Sequence, residues 1–201
     1  MTSFCRYLTY LGLIIFAGTF NLPSRFYNSP LGRFRWSLDS AFLAESPGES
    51  LAFVGICLAI AYPYIWALIS AYIFFFSHSP GRWAIRSQFI THLVGAVPIT
   101  ALGLTLIFLK AEFPAPRVQW IAVLTPAAFI IFLLVAAKLV KITRRFSALV
   151  ALALLLFIPL QVILYYYVQL DGGAGWGYLV GGLGALGGLI GSCALIFSEK
   201  N

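Results

Sequence analysis

The sequence predicts an all-α fold: a polytopic transmembrane helical bundle of about six spanning helices, with a short interfacial helix between the first and second. Three observations predict it. The 201 residues are 61% hydrophobic and only 9% charged, with a mean hydropathy of +0.95, whereas ordinary soluble domains are about 25% charged. The apolar residues are gathered into runs close to the roughly 20 residues a helix needs to cross a hydrocarbon core about 30 Å thick. The 13 Lys and Arg residues fall chiefly in the short connections, where they orient a membrane protein. Spanning uses nearly the whole chain, so residues 1–201 read as one integral membrane domain with no room for a soluble one.

The first apolar segment, residues 7–22, is the shortest. Arg6 before an apolar core, with Ala17-Gly18-Thr19 after it, also fits a signal peptide; a spanning or deeply embedded helix is the expectation. Residues 23–50 form the longest connection, mixing Arg25, Arg33 and Arg35 with Phe26, Tyr27, Phe34, Trp36 and Phe42. Such side chains suit the headgroup layer, rings in the apolar boundary and cations at the phosphates. They predict a surface-lying helix over residues 31–45, with an ordered loop packed on its own helices as the alternative.

Ser46-Pro47-Gly48-Glu49 has the spacing of a capping box, with proline at the first helical position. The second span, residues 51–76, is therefore expected to start near Pro47. Ser79-Pro80 repeats the serine–proline start before the third span, residues 89–109. The fourth and fifth follow at residues 120–140 and 148–168. Pro63, Pro98, Pro126 and Pro159 each lie well inside one of these four helices, where they either shape the packing or act as hinges beside a cavity.

The sixth segment, residues 177–197, is patterned. Ala174, Gly177, Gly181, Gly184, Gly188 and Gly191 recur at spacings of 3 and 4 and share one helix face, opposite Leu179, Leu183, Leu186, Ile190, Cys193 and Phe197. Small residues let another helix backbone approach closely, a principal source of association in lipid. An alternation of 3 and 4 repeats every seven residues in two turns, which favours a left-handed crossing. The mate is a helix of the same chain, a neighbouring copy, or a pore that the stripe lines.

With the N terminus inside, that side carries Arg6, Arg82, Arg86, Lys138, Lys141, Arg144, Arg145 and Lys200, eight cations against five on the other side. Both termini are thus expected in the cytoplasm, and compactness with short connections suggests a bacterial inner membrane. The densest basic stretch, Lys138, Lys141, Arg144 and Arg145, is a candidate for lipid or partner docking, as are Arg33, Arg35 and Trp36. Nucleic-acid binding is not expected, since the cations are not clustered on one face.

Chemistry is sparse. No carboxylate lies in the central part of any span, which argues against ion-coupled transport. His92 has no histidine at comparable depth for a haem, and no cluster of His, Cys and acidic residues has metal-ligand spacing. Cys5, Cys57 and Cys193 read as small packing residues. A hydrolase pairing of Ser192 with His92 would join different helices on a weak G-S-C signal. The expectation is a non-enzymatic integral subunit without cofactor, working through helix packing and partner binding: an anchor, sensor or immunity-type component that contacts the bilayer, other membrane subunits or its own copies. The alternative is a small channel or transporter whose polar path includes His92, Thr100 and Gln161, with Thr91, Thr105 and Thr125. Convergence of these side chains on one cavity would favour that alternative.

Overall fold

The computed structural model describes residues 2–22, 30–77, 81–108, 127, 130–132, 134–135, 138, 146–170 and 176–198. Among them every regular element is helical: α1 (Thr2–Gly18) with a 3-10 turn (Thr19–Asn21), α2 (Pro30–Leu43), α3 (Pro47–Phe76), α4 (Arg82–Phe108), α5 (Phe146–Leu170) and α6 (Trp176–Ser198). Three candidate spans, Ser3–Asn21, Phe53–Phe76 and Trp176–Ser198, are long and apolar enough to cross a membrane, and a shorter apolar stretch covers Phe146–Val162. By length and composition these mark the chain as a membrane protein. The expected fourth segment lies largely outside the described residues.

Local chemistry explains the helix ends. The first helix stops because Leu22, extended at φ −67° and ψ 129°, precedes Pro23, whose ring disfavours helical backbone in the residue before it. Ser46 at φ −128° and ψ 148° is likewise set by Pro47. Its Oγ accepts from the Glu49 N–H at 3.2 Å, satisfying one of the orphan donors at a helix start. From there α3 runs 30 residues straight through Pro63, and α5 runs 25 residues through Pro159. Pro98 lies within α4, which is also continuous, while Pro126 lies outside the described residues. The described prolines therefore sit in uninterrupted helices.

Packing centres on α1. Its most extensive partner is α6, followed by α5 on α6 and then α3 on both α1 and α2. Phe16 of α1 stacks on Tyr64 of α3 at 5.3 Å and on Phe157 of α5 at 5.9 Å, with interplanar angles of 15° and 16°. Around it Leu13, Trp66, Val150, Leu154, Phe157 and Ala185 form one continuous buried core. Large apolar side chains on outer faces, among them Leu11, Ile65, Leu68, Leu183 and Ile190, remain exposed.

Arg6 ties the start of α1 to the end of α3. Its Nη2 donates to the carbonyls of Phe74 at 2.8 Å and Ser77 at 2.5 Å. A guanidinium is a fitting partner for the unpaired carbonyls and partial negative charge of a helix C terminus. Arg6, read as an orienting charge and as the cation of a possible signal peptide, thus also holds two helices together, and α1 is helical from Thr2, ahead of the expected start at Tyr7.

Candidate functional site

The glycine stripe lies against α1. Gly177, Gly181, Gly184, Gly188 and Gly191 are all buried; Ala174 lies outside the described residues. A Cβ on Gly191 would lie 2.8 Å from the Cys5 carbonyl oxygen, one on Gly184 2.8 Å from the Phe16 nitrogen, and one on Gly177 3.4 Å from Leu22 Cβ. Successively earlier residues of α6 meet successively later residues of α1, so the two helices are antiparallel. The facing positions of α1, Cys5, Thr9, Gly12, Phe16 and Thr19, repeat at 4, 3, 4 and 3, the same rhythm as the glycines. Thr9 and Thr19 fit the seam because each hydroxyl donates to its own helix, to Cys5 O at 2.9 Å and Phe16 O at 2.6 Å. Folded back in this way, the hydroxyl leaves no polar group to be satisfied across the seam.

Buried polar groups between α3 and α4 pair with one another, except that His92 Nε2 has no hydrogen-bond partner. His92, only 1% exposed, is hydrogen-bonded through Nδ1 to the Tyr62 hydroxyl. It is boxed in by the rings of Trp66 at 5.4 Å and Phe132 at 4.6 Å. One turn away the Trp66 indole N–H donates to Gln88 Oε1. Gln88 Nε2 donates to Ser70 Oγ at 2.9 Å, which donates to the Trp66 carbonyl at 2.8 Å. Tyr62, Trp66 and Ser70 are spaced four apart, as are Gln88 and His92; facing stripes at one-turn intervals are what allow the pairs to form. Sequence reasoning singled out His92 and missed Gln88. The usable signal was that an amide at the edge of a span needs a partner; that the partner is Trp66 depends on how α3 and α4 pack.

Gln161, 2% exposed, belongs to a separate contact. Its side chain lies beside the Tyr64 hydroxyl, while its Oε1 lies 3.1 Å from where a Cβ on Gly181 would be and has no hydrogen-bond partner. Gly181 is therefore required twice, to admit Thr19 on one side and Gln161 on the other. Thr91 donates to the Ser87 carbonyl at 2.8 Å, a bond within its own helix. Thr100 and Thr105 lie on α4 and Thr125 outside the described residues. His92 and Gln161 thus occupy different contacts, one between α3 and α4, the other between α3, α5 and α6.

The expected docking residues separate as well. Helix α2 lies along α3: Trp36 packs edge-on against Phe53 at 5.8 Å, Phe20 meets Phe34 at 6.1 Å, and Cys57 Sγ donates to the Phe34 carbonyl at 3.5 Å. Arg33 is partly buried and close enough to Tyr64 and Tyr178 to interact electrostatically with both. Arg35 and Trp36 are exposed, with Phe42 and Leu43 exposed by 82% and 81%. Lys138 is exposed; Lys141, Arg144 and Arg145 lie outside the described residues.

Among the described residues no three His, Cys, Asp or Glu side chains are grouped to hold a metal ion. Ser192 is fully buried on α6 with no partner for its Oγ, while His92 Nδ1 is engaged by Tyr62 on α3. Compared with known proteins, the chain matches no family model, no curated protein and no solved structure.

Proposed function

We propose that the chain is a non-enzymatic integral membrane subunit acting through helix packing and partner binding, an anchor, sensor or immunity-type component of a larger complex. In this reading it is a bundle crossing a bacterial inner membrane about six times with both termini cytoplasmic. The observation that carries the reading is the distribution of the polar interior. Tyr62, His92, Trp66, Gln88 and Ser70 form one packed cluster between α3 and α4, and Tyr64 meets Gln161 in a second contact beside α6, which favours a packed interior over a single lined conduit. The antiparallel α1 and α6 are what an even number of crossings requires of a first and last span.

Because α1 occupies the glycine seam, contact with other subunits falls to outward faces, above all Arg35, Trp36, Phe42 and Leu43 on α2. The test is extraction from membranes in a mild detergent followed by native mass measurement and reconstitution into liposomes. A defined hetero- or homo-oligomer, lost on Trp36→Ala combined with Phe42→Ala, is expected. A monomer that carries ions or small solutes across the liposome membrane would replace this reading with the channel or transporter.

A further inference from the structure

A cavity of about 220 Å³ opens between the start of α1 and the end of α3, lined by Ser3, Arg6, Tyr7, Tyr10, Phe74 and Phe75. Its floor carries charge. Among the described residues Arg6 uses only Nη2, for the carbonyls of Phe74 and Ser77. A guanidinium presents five N–H donors in a planar fork, so Nε and Nη1 are not committed to those bonds. A helix C terminus contributes about half a negative charge, which offsets only part of the full positive charge on Arg6. The rim is aromatic: Tyr10 lies 5.3 Å from Phe75, and Phe75 lies 4.9 Å from Phe76. From the rim an exposed apolar stripe, Tyr7, Leu11, Ile14 and Ile15, continues along α1.

We propose that this groove binds a membrane phospholipid, its phosphodiester held by Arg6 with the hydroxyls of Ser3, Tyr7 and Tyr10 in reach, and one acyl chain lying along Tyr7, Leu11 and Ile14. The groove sits at the ends of two candidate spans, Ser3–Asn21 and Phe53–Phe76, the depth at which a bilayer places its phosphates. A residual positive charge, donors at the floor, rings at the headgroup level and an apolar track leading away from them match a lipid's order of groups. Arg and Tyr at the boundary commonly serve this layer. The site depends on α1 and α3 crossing the bilayer and not on the subunit reading above.

The experiment is native mass spectrometry of the full chain in a delipidating detergent, titrated separately with phosphatidylglycerol, with diacylglycerol lacking a phosphate, and with inorganic phosphate. One retained phosphatidylglycerol per chain is expected. Arg6→Gln should weaken it roughly tenfold, the equivalent of one charge-assisted hydrogen bond. Because Arg6→Gln also uncaps α3, the deciding variant is Ser3→Trp. This exposed first-turn position can fill the groove without touching the Arg6 bonds, so helicity and melting temperature should stay at the parent values while the lipid is lost. Equal retention by a normally folded Ser3→Trp, equal binding of diacylglycerol, or displacement of the lipid by inorganic phosphate would each overturn the proposal.

Discussion

Gly12 and Gly184 meet backbone to backbone: a Cβ on Gly12 would lie 2.6 Å from the Gly184 carbonyl oxygen, and one on Gly184 would lie 2.9 Å from that of Gly12. Neither obstacle is a flexible side-chain end, so the helices themselves must part to admit even a methyl group. Helix interiors disfavour glycine by about 1 kcal/mol relative to alanine. Here that penalty is outweighed by the close approach it permits along the whole length of the seam.

The seam yields a contrast between two kinds of glycine. Gly12→Ala should destabilise the protein by about 2 kcal/mol, as overpacking of a tight contact does, and Gly184→Leu should destabilise it further by wedging α1 and α6 apart. Gly187, where an added Cβ would meet nothing within 4 Å, should accept alanine with a gain of up to about 1 kcal/mol from helix propensity, and Leu186→Val on the outward face should be nearly silent. Denaturant titration in detergent micelles measures all four; equal tolerance of Gly12→Ala and Gly187→Ala would refute the packing account.

The Tyr62 and His92 pair predicts non-additivity. Tyr62→Phe leaves His92 Nδ1 without a partner at a buried site and should cost about 1–3 kcal/mol. Adding His92→Leu removes the orphaned group and should recover much of that loss. A double-mutant cycle measures the coupling, and strictly additive effects would show that the hydrogen bond contributes nothing.

Antiparallel α1 and α6 place the start of α1 and the end of α6 at one face. Ser3→Cys and Ser198→Cys, each introduced into a variant with the native cysteines replaced by alanine, should react with a membrane-impermeant maleimide from the same side. Labelling from opposite sides would rule out the arrangement of the two helices as crossing neighbours.

Ser46→Ala removes the acceptor for the Glu49 N–H at the start of α3. The expected loss is about 1 kcal/mol, seen as a small drop in melting temperature. Ser46→Asp, which preserves an acceptor at the cap, should restore the parent value.

Much of this was legible in the residues because it depends on local rules. Ser46-Pro47 placed the start of α3, the aromatic and Arg-rich run 31–45 foretold the helix Pro30–Leu43, and helical phase put Gly177, Gly181, Gly184, Gly188 and Gly191 on one face. The identity of the helix opposite was not legible, since that contact joins residues almost a full chain length apart. A matching signal did exist in α1: Cys5, Thr9, Gly12, Phe16 and Thr19 repeat the same 4 and 3 steps, obscured by two threonines whose polarity is hidden inside their own helix and by a phenylalanine. Arg6 was misleading for a different reason. Charge counting registers which side a cation is on, whereas its two bonds to α3 depend on where another helix happens to end.

The pairing of α1 with α6 also has a temporal meaning. During synthesis α1 is made with its small-residue face bare, and its mate α6 emerges only after α2, α3, α4 and α5. Until then α1 has only α3 and provisional neighbours to lean on, so a chain truncated before Trp176 would carry an unfilled backbone-deep furrow open to lipids or to any other helix with small residues. The furrow of α1 is filled only once α6 has been made, so an open furrow is a natural mark of a copy that still lacks that helix.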